Sequence, residues 1–444
     1  MDSSKPTHFR WYVFVAVLVL CAINYFDRAV LSICMPLIQK DLHFSAQIVG
    51  IILSSFFWGY TLMQVPVGWI CDRIAPGKVI TLSGILWAIC QICTGLVSRT
   101  GALLCIRTLL GIAESPMYPG GTKLQSVWLP STERGRGAAM LDSGSALGIA
   151  LGGPIIALFL AWLHGWRGAL IAAGVLTLVV VLLCYRVMTS DPDTSPHVNQ
   201  AERDYIKNAL TAEYEASQKN RLAAGKLTVS PNEYLKSFSF WGMILGFYCF
   251  DSFWFGFLTW GPLYLFQTQH LKIMSIGWAV FVIYCCALIG EFSGGYISDK
   301  WRLSGANVNT VVRTTLGVLG LMQAICMYLL STASTPYLAI LLIALGMFCH
   351  KWAAPMYWII PAAISQRQHV GTVTGFMNLS GNLGGVLTPI CIGLVVGATG
   401  SYFWVMMMFV AISIIAGLFP LLLNLNKKIG SDVSPHSFVA VAKS

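Results

Sequence analysis

Four charged residues stand inside otherwise apolar stretches: Asp27 and Arg28 in "INYFDRAVLS", and Arg107 and Glu114 in "RTLLGIAESPMYPG". A charge at the centre of a membrane helix costs at least about 2.5 to 3.5 kcal/mol on insertion scales, so these four are expected to face a bundle interior or a water-filled cavity. Arg107 and Glu114 are seven residues apart, two turns on one helix face, and Gly111 keeps that face narrow between them. Two roles fit. The charges can form internal ion pairs that fix helix packing, or they can form a binding site. A guanidinium grips a carboxylate through two parallel bonds and does not titrate, which makes arginine a better selector than lysine for a planar anion. A carboxylate withdrawn from water beside an arginine can take up or release a proton as its surroundings change.

The second half carries its own charges in apolar runs, Asp251, Glu291 and Lys351. Lys351 either contacts a second acidic group of a ligand, implying a diacid, or neutralises Asp251 or Glu291. Tyr25, Tyr60, Gln64, Tyr118 and Ser145 can line one wall of a cavity, with Asn378, Ser380 and Asn382 on the other. Hydroxyls and amides suit a polyhydroxylated acid, although each residue alone serves equally well as an interhelical hydrogen bond. Other chemistries lack their residues. Cys90 and Cys93, and the adjacent Cys285 and Cys286, lie inside apolar runs and read as small helix residues, not a redox pair. "GNLGG" follows no strand and has no phosphate-binding lysine, and there is no His/Cys cluster or nucleophile–base pair. No metal, cofactor or enzymatic activity is expected.

What must hold these residues is a membrane bundle. Of the 444 residues 56% are hydrophobic and only 10% charged, against about 25% charged in a soluble domain, so lipid must cover much of the surface. Mean hydropathy is +0.70. A span needs roughly 20 residues to cross about 30 Å of hydrocarbon. Twelve such stretches are expected, near 11–34, 47–70, 79–98, 101–123, 138–162, 166–186, 239–266, 274–297, 311–331, 336–359, 371–395 and 401–424. The fold class is therefore an all-α polytopic membrane protein of two six-helix bundles. Residues 1–186 form the first, 187–238 a cytoplasmic linker with a surface helix, and 239–444 the second with a cytoplasmic tail. In the linker, Tyr205, Ile206, Ala209 and Tyr214 make a weak apolar stripe.

The halves echo one another. "GWICDRIAPGK" follows the second span, with Gly68, Asp72 and Arg73, and "GGYISDKWRLSG" follows the eighth, with Gly295, Asp299 and Lys300. In each, glycine would let the helix end approach a neighbour while acid and base tie it there, and the repetition argues for an internal repeat. Gly144, Gly148 and Gly152, and Gly381, Gly384 and Gly385, are further expected points of close helix contact. Lys5, Arg10, Arg73, Lys78, Arg134, Arg136, Lys300, Arg302, Arg313, Arg367, Lys427, Lys428 and most linker cations fall on one side. Lys40, Arg99, Arg167 and Lys272 fall on the other, so both termini are expected to be cytoplasmic. This rim accounts for most of the +10 net charge without a nucleic-acid partner.

At this point the chain resembles the major facilitator superfamily, and within it the anion:cation symporters that include bacterial sugar-acid transporters. The match rests on "INYFDRAVLS", "GWICDR", "RTLLGIAESPMYPG", "SGSALGIALGGP" and "GFMNLSGNLGGVLTP", and extends over almost the whole length. The resemblance implies that Arg28 binds the substrate carboxylate, that Asp27 and Glu114 are the protonatable acids, and that Arg107 is their electrostatic partner. It implies proton-driven import of an organic anion, most simply an aldonate, aldarate or hexuronate, across a cell inner membrane by a monomer with no obligate protein partner. The rivals are an anion exchanger, a sodium-coupled carrier and, in a different class, a non-transporting sensor of organic anions. The charges Asp251, Glu291 and Lys351 are not part of the family pattern.

Overall fold

A computed structural model of the chain describes residues 6–223, 231–366, 369–425 and 429. Among them are fifteen helices: α1 (Phe9–Leu42), α2 (Ala46–Arg73), α3 (Pro76–Leu96), α4 (Thr100–Glu114), α5 (Met117–Trp128), α6 (Ser131–Trp162), α7 (Trp166–Tyr185), α8 (Gln200–Ala223), α9 (Pro231–Lys236), α10 (Phe238–Gln267), α11 (Ile273–Leu303), α12 (Val308–Leu330), α13 (Pro336–Ile364), α14 (Val370–Thr399) and α15 (Phe403–Leu422). Eleven are long and apolar enough to cross a membrane, which makes this a multi-pass membrane protein. The expected fourth span is the exception. It is divided between α4 and α5 at Ser115–Pro116, where the proline has no N–H to donate. Ser115 and Pro116 nevertheless keep right-handed helical backbone, so the chain bends there without reversing.

Helix ends follow local chemistry. Ser45 and Thr335 accept from the backbone amides of Ile48 and Leu338 at the starts of α2 and α13, and Pro336 occupies the first turn, where its missing donor costs nothing. Within the first half α1 packs on α6 and α7, α2 on α4, and α3 on α7. Within the second α10 packs on α14 and α15, and α12 on α13 and α15. Gly144, Gly148 and Gly152 do face α1, against Cys21, Ala22 and Phe26, while Gly384 meets Ser252 and Tyr248 of α10.

The halves meet along α2 with α14, α6 with α11, and α1 with α10. These contacts lie toward the face on which α1 ends, here called the distal face. Gly50 packs on Pro389 and Gly393, Gly153 on Gly277, and Ser54 donates to the Val386 carbonyl at 2.6 Å. The Phe57 and Phe255 rings are 4.6 Å apart, and Gln267 donates to Gln39 at 2.9 Å. Toward the proximal face, where α1 begins, α2 and α14 part around a cleft of about 730 Å³ lined by Gln64, Thr372, Gly375, Phe376, Asn378 and Leu379. The protein is closed distally and open proximally.

The linker helix α8 docks on the first half. Glu202 accepts from the amides of Phe9 and Arg10 at 2.8 and 3.2 Å, from the Thr7 hydroxyl at 2.5 Å and from the Arg10 guanidinium at 2.9 Å, so it caps the start of α1. Arg10 also bridges to Glu133 of α6 at 2.8 Å. Of the expected linker stripe, Ile206 is buried, Tyr205 is exposed with its hydroxyl on Glu133, and the Tyr214 side chain lies outside the described residues. The side chains of Asp72 and Asp299 also lie outside them. Gly68 and Gly295 differ from expectation: a Cβ at either would meet nothing within 4 Å, so neither marks a close approach while the proximal side stands open. Arg73 lies with its guanidinium 3.8 Å from the Trp69 ring centroid, and Lys300 occupies the last turn of α11.

Candidate functional site

Between the halves lies a cavity of about 720 Å³, counted together with the open space at its mouth. Eight of the ten residues proposed from sequence to contact a ligand line it: Tyr25, Arg28, Tyr60, Tyr118, Ser145, Lys351, Asn378 and Asn382. Gln64 instead lines the proximal cleft, beside Asn378. Ser380 turns away, its hydroxyl donating to the Met377 carbonyl at 2.6 Å within its own helix.

Arg28 is the best-held cation in the cavity wall. Its guanidinium carbon lies 4.4, 4.7 and 4.6 Å from the ring centroids of Tyr25, Phe56 and Tyr60, and its Nε donates to Glu114 at 2.9 Å. One of its terminal nitrogens has no partner, and neither does the second oxygen of Glu114. The resemblance implies Arg107 as the electrostatic partner of Asp27 and Glu114, a role that needs no direct bond. Among the described residues no carboxylate lies within 4.0 Å of Arg107, whose Nε and Nη1 are unpartnered. Seven residues set the two Cα atoms about 10 Å apart along one helix, whereas Arg28 reaches Glu114 directly from a neighbouring one. Asp27 points away from the cavity, accepting from Thr177 of α7 at 2.7 Å, with its other oxygen unpaired. Asn24 and Gln91 are buried with amide nitrogen and oxygen both unpaired, and the Trp87 indole N–H is unpaired as well. Buried polar groups left without a partner are uncommon in a packed core, and these gather around the charges of α1 and α4.

Lys351 stands on the opposite wall. Its ammonium is 3.4 Å from Glu291 and 3.9 Å from Asp142, and 4.6 Å from the Trp254 ring centroid. Of the two partners weighed from sequence, Glu291 is therefore the one it meets. Asp142, on α6 of the first half, was not singled out: it sits near the polar start of its helix, and nothing in the sequence says that α6 faces Lys351. Asp251, also on the cavity, forms no ion pair among the described residues. Other lining residues missed from sequence are His350 and a set of rings, Phe247, Phe250, Trp254, Phe255 and Trp358. His350 stacks on Phe250 at 3.9 Å and its Nδ1 has no partner. Aromatic residues are too common in this chain to have been selected by type alone.

An inter-half cavity with a buried arginine in its wall belongs to a recognisable architecture. A family model described as the Major Facilitator Superfamily matches residues 17–321 and 275–437. The chain belongs to the Major Facilitator Superfamily. Among curated proteins it is 30% identical over 409 residues to a probable galactarate/D-glucarate transporter of Escherichia coli (strain K12), covering 90% of this chain and 89% of that protein. It is 26% identical over 392 residues to the hexuronate transporter of the same strain, covering 88% of each. Among solved structures, a bacterial homolog of the human lysosomal transporter Spinster, in an inward-facing and unoccupied conformation, superposes with a TM-score of 0.71 at 18% identity, covering 93% of this chain and 96% of that one. That likeness is one of fold. Family and fold are those of transporters, not enzymes, and this superfamily member is related to bacterial proteins named for sugar acids and hexuronates.

Proposed function

We propose that this protein is a proton-coupled symporter of an organic anion, a sugar acid, working by alternating access as one of the anion:cation symporters. In this reading α4 and α5 together make the fourth of twelve spans. Two six-helix halves, residues 1–186 and 239–444, rock about the cavity, joined by the linker 187–238. The cation-rich proximal face is cytoplasmic with both termini, the membrane is the cell inner membrane, and the open state described above is inward-facing.

The observation that carries the proposal is the Arg28–Glu114 pair in the cavity wall. Arg28 is held flat between three rings, has a donor unspent, and is engaged on one edge by a titratable carboxylate. An incoming carboxylate and Glu114 compete for the same fork. A proton on Glu114 weakens its hold and leaves the guanidinium to the substrate, so that proton and anion are taken together. Asp27 and Arg107, among unsatisfied amides behind the pair, offer a second protonatable acid and a charge to balance it. Proton uptake also offsets the electrical cost of moving an anion into a negative interior, about 2.3 kcal/mol per charge per 100 mV. The names of the relatives support a sugar acid as the anion.

The test is Glu114→Gln in proteoliposomes. The variant keeps size and hydrogen-bonding capacity but is fixed in a neutral state. Exchange of labelled for unlabelled substrate should persist, while accumulation driven by an imposed proton gradient should be lost. Undiminished accumulation with the same proton dependence would exclude Glu114 as the coupling acid.

A further inference from the structure

The two walls of the cavity differ in charge. On the Arg28 side, Arg28 lines the cavity with Glu114 bonded to it, and Arg107 and Asp27 stand behind them, two cations to two carboxyls. On the other side Lys351 stands with Glu291, Asp142 and Asp251, one ammonium to three carboxyls. Lys351 is flanked by two of them within 4.0 Å, so its charge is already met from both halves. Among the described residues Lys351 is the one ammonium or guanidinium on this wall, and a second anionic group would have to compete with two carboxylates for it.

What the wall does offer is acceptors and flat rings. Asp251 reaches the cavity because Gly381 makes room for it: a Cβ at Gly381 would stand 2.9 Å from the Asp251 carboxyl carbon and would collide with its oxygen. Asn378 and Asn382 lie one turn apart beside it, joined by a bond from Asn382 to the Asn378 carbonyl at 2.9 Å. Carboxyl and amide oxygens accept from hydroxyls, and Trp254 and Trp358 present ring surface to the C–H face of a carbon chain.

We propose that the site takes a monoanion with a hydroxylated tail and discriminates against the diacid of the same carbon skeleton. The carboxylate sits on Arg28, and the tail hydroxyls donate to Asp251 and the Asn378 and Asn382 amides. Asp251 is then a specificity-determining residue: it accepts from a terminal hydroxyl, and a terminal carboxylate at the same place would meet a carboxyl and no free cation among the described residues. The inference rests on the sugar-acid reading above, and it departs from the diacids for which the galactarate/D-glucarate relative is named.

Equilibrium binding to the purified full chain tests it with matched pairs, D-gluconate against D-glucarate and D-galactonate against D-galactarate, with hexanoate as the acid lacking hydroxyls. The aldonate of at least one pair should bind about tenfold or more tightly than its aldarate and than hexanoate. Asp251→Asn should narrow that ratio from both ends, weakening the aldonate and admitting the aldarate. Aldarates bound as tightly as their aldonates in both pairs by the unaltered protein overturn the inference and leave the sugar-acid reading standing, as does a ratio unmoved in a folded Asp251→Asn protein. Failure of a folded protein to bind any of the four sugar acids overturns both. The ratio in the unaltered chain decides even where the variant does not fold.

Discussion

If the halves rock against one another, the glycine contacts of the distal seam should set the balance between conformations. A methyl group at Gly277 would stand 2.6 Å from the Gly153 carbonyl oxygen and 2.8 Å from Ala157 Cβ, and one at Gly393 would stand 2.7 Å from the Ala46 carbonyl oxygen and 3.1 Å from Gly50 Cα. The obstacles are backbone or Cβ atoms of the opposite half, which cannot rotate aside. Overpacking of this kind costs about 1–3 kcal/mol, and here the cost falls only on the state in which the seam is closed. That energy corresponds to a shift of about 5- to 150-fold toward the distally open state. The two seams share no partner, so Gly277→Ala and Gly393→Ala should add when combined. Gly148→Ala is the control, since its methyl would meet the Ala22 backbone within the first half, 2.9 Å from Cα, and that contact moves as a unit. Hydrogen–deuterium exchange read by mass spectrometry should rise in segments 50–57 and 386–393 and fall in 64–69 and 372–379 for the seam variants. Gly148→Ala should lower the melting temperature without that reciprocal pattern. A uniform rise across the chain in the seam variants, or no change in either set of segments, would refute the argument.

Arg28→Lys keeps the charge but loses the planar fork and its fit among Tyr25, Phe56 and Tyr60. Anion affinity measured by calorimetry should fall about tenfold or more, and near-normal affinity would remove Arg28 from direct contact with substrate. At the α1 cap, burial works to raise the Glu202 pKa, but the bonds from Thr7, Phe9 and Arg10 outweigh it and hold the carboxyl below its ordinary value. With the folded value below the unfolded one, about 4.3, its contribution to stability is complete above that pH and is lost as pH falls through the lowered value. Melting curves of Glu202→Gln should therefore lie below those of the unaltered protein at neutral pH and converge with them on acidification. Parallel curves at every pH would contradict this.

The spans were legible because lipid imposes its demand on each helix separately: twenty apolar residues are needed whatever the neighbours do. The division at Ser115–Pro116 was not, since Pro36, Pro66, Pro154 and Pro262 lie inside unbroken helices and proline alone does not say which helix will part. Nor was the anchoring of α8. Glu202 reads as one acid among the solvated charges of a polar helix, and its partners lie 192 to 195 residues earlier in the chain. No periodicity within the helix encodes that choice.

The candidate site divides along the same line. Arg28 and Glu114 were conspicuous from the cost of placing any charge in hydrocarbon, but the identity of their partners was not. Spacing puts Arg107 two turns from Glu114 on one helix, near enough for attraction without contact, but says nothing of the direct bond that Arg28 makes from α1. Lys351 repeats the lesson across the interface: it meets Glu291 of its own half and Asp142 of the other. Asp142 therefore joins the wall only while the halves are disposed as they are here. If the halves rock as proposed, Asp142 is part of the site in one conformation and leaves it in another, so the charge that a substrate meets from the proximal side differs from the charge that it leaves on the distal side. Alternating access would then change the electrostatics of the cavity as well as its opening.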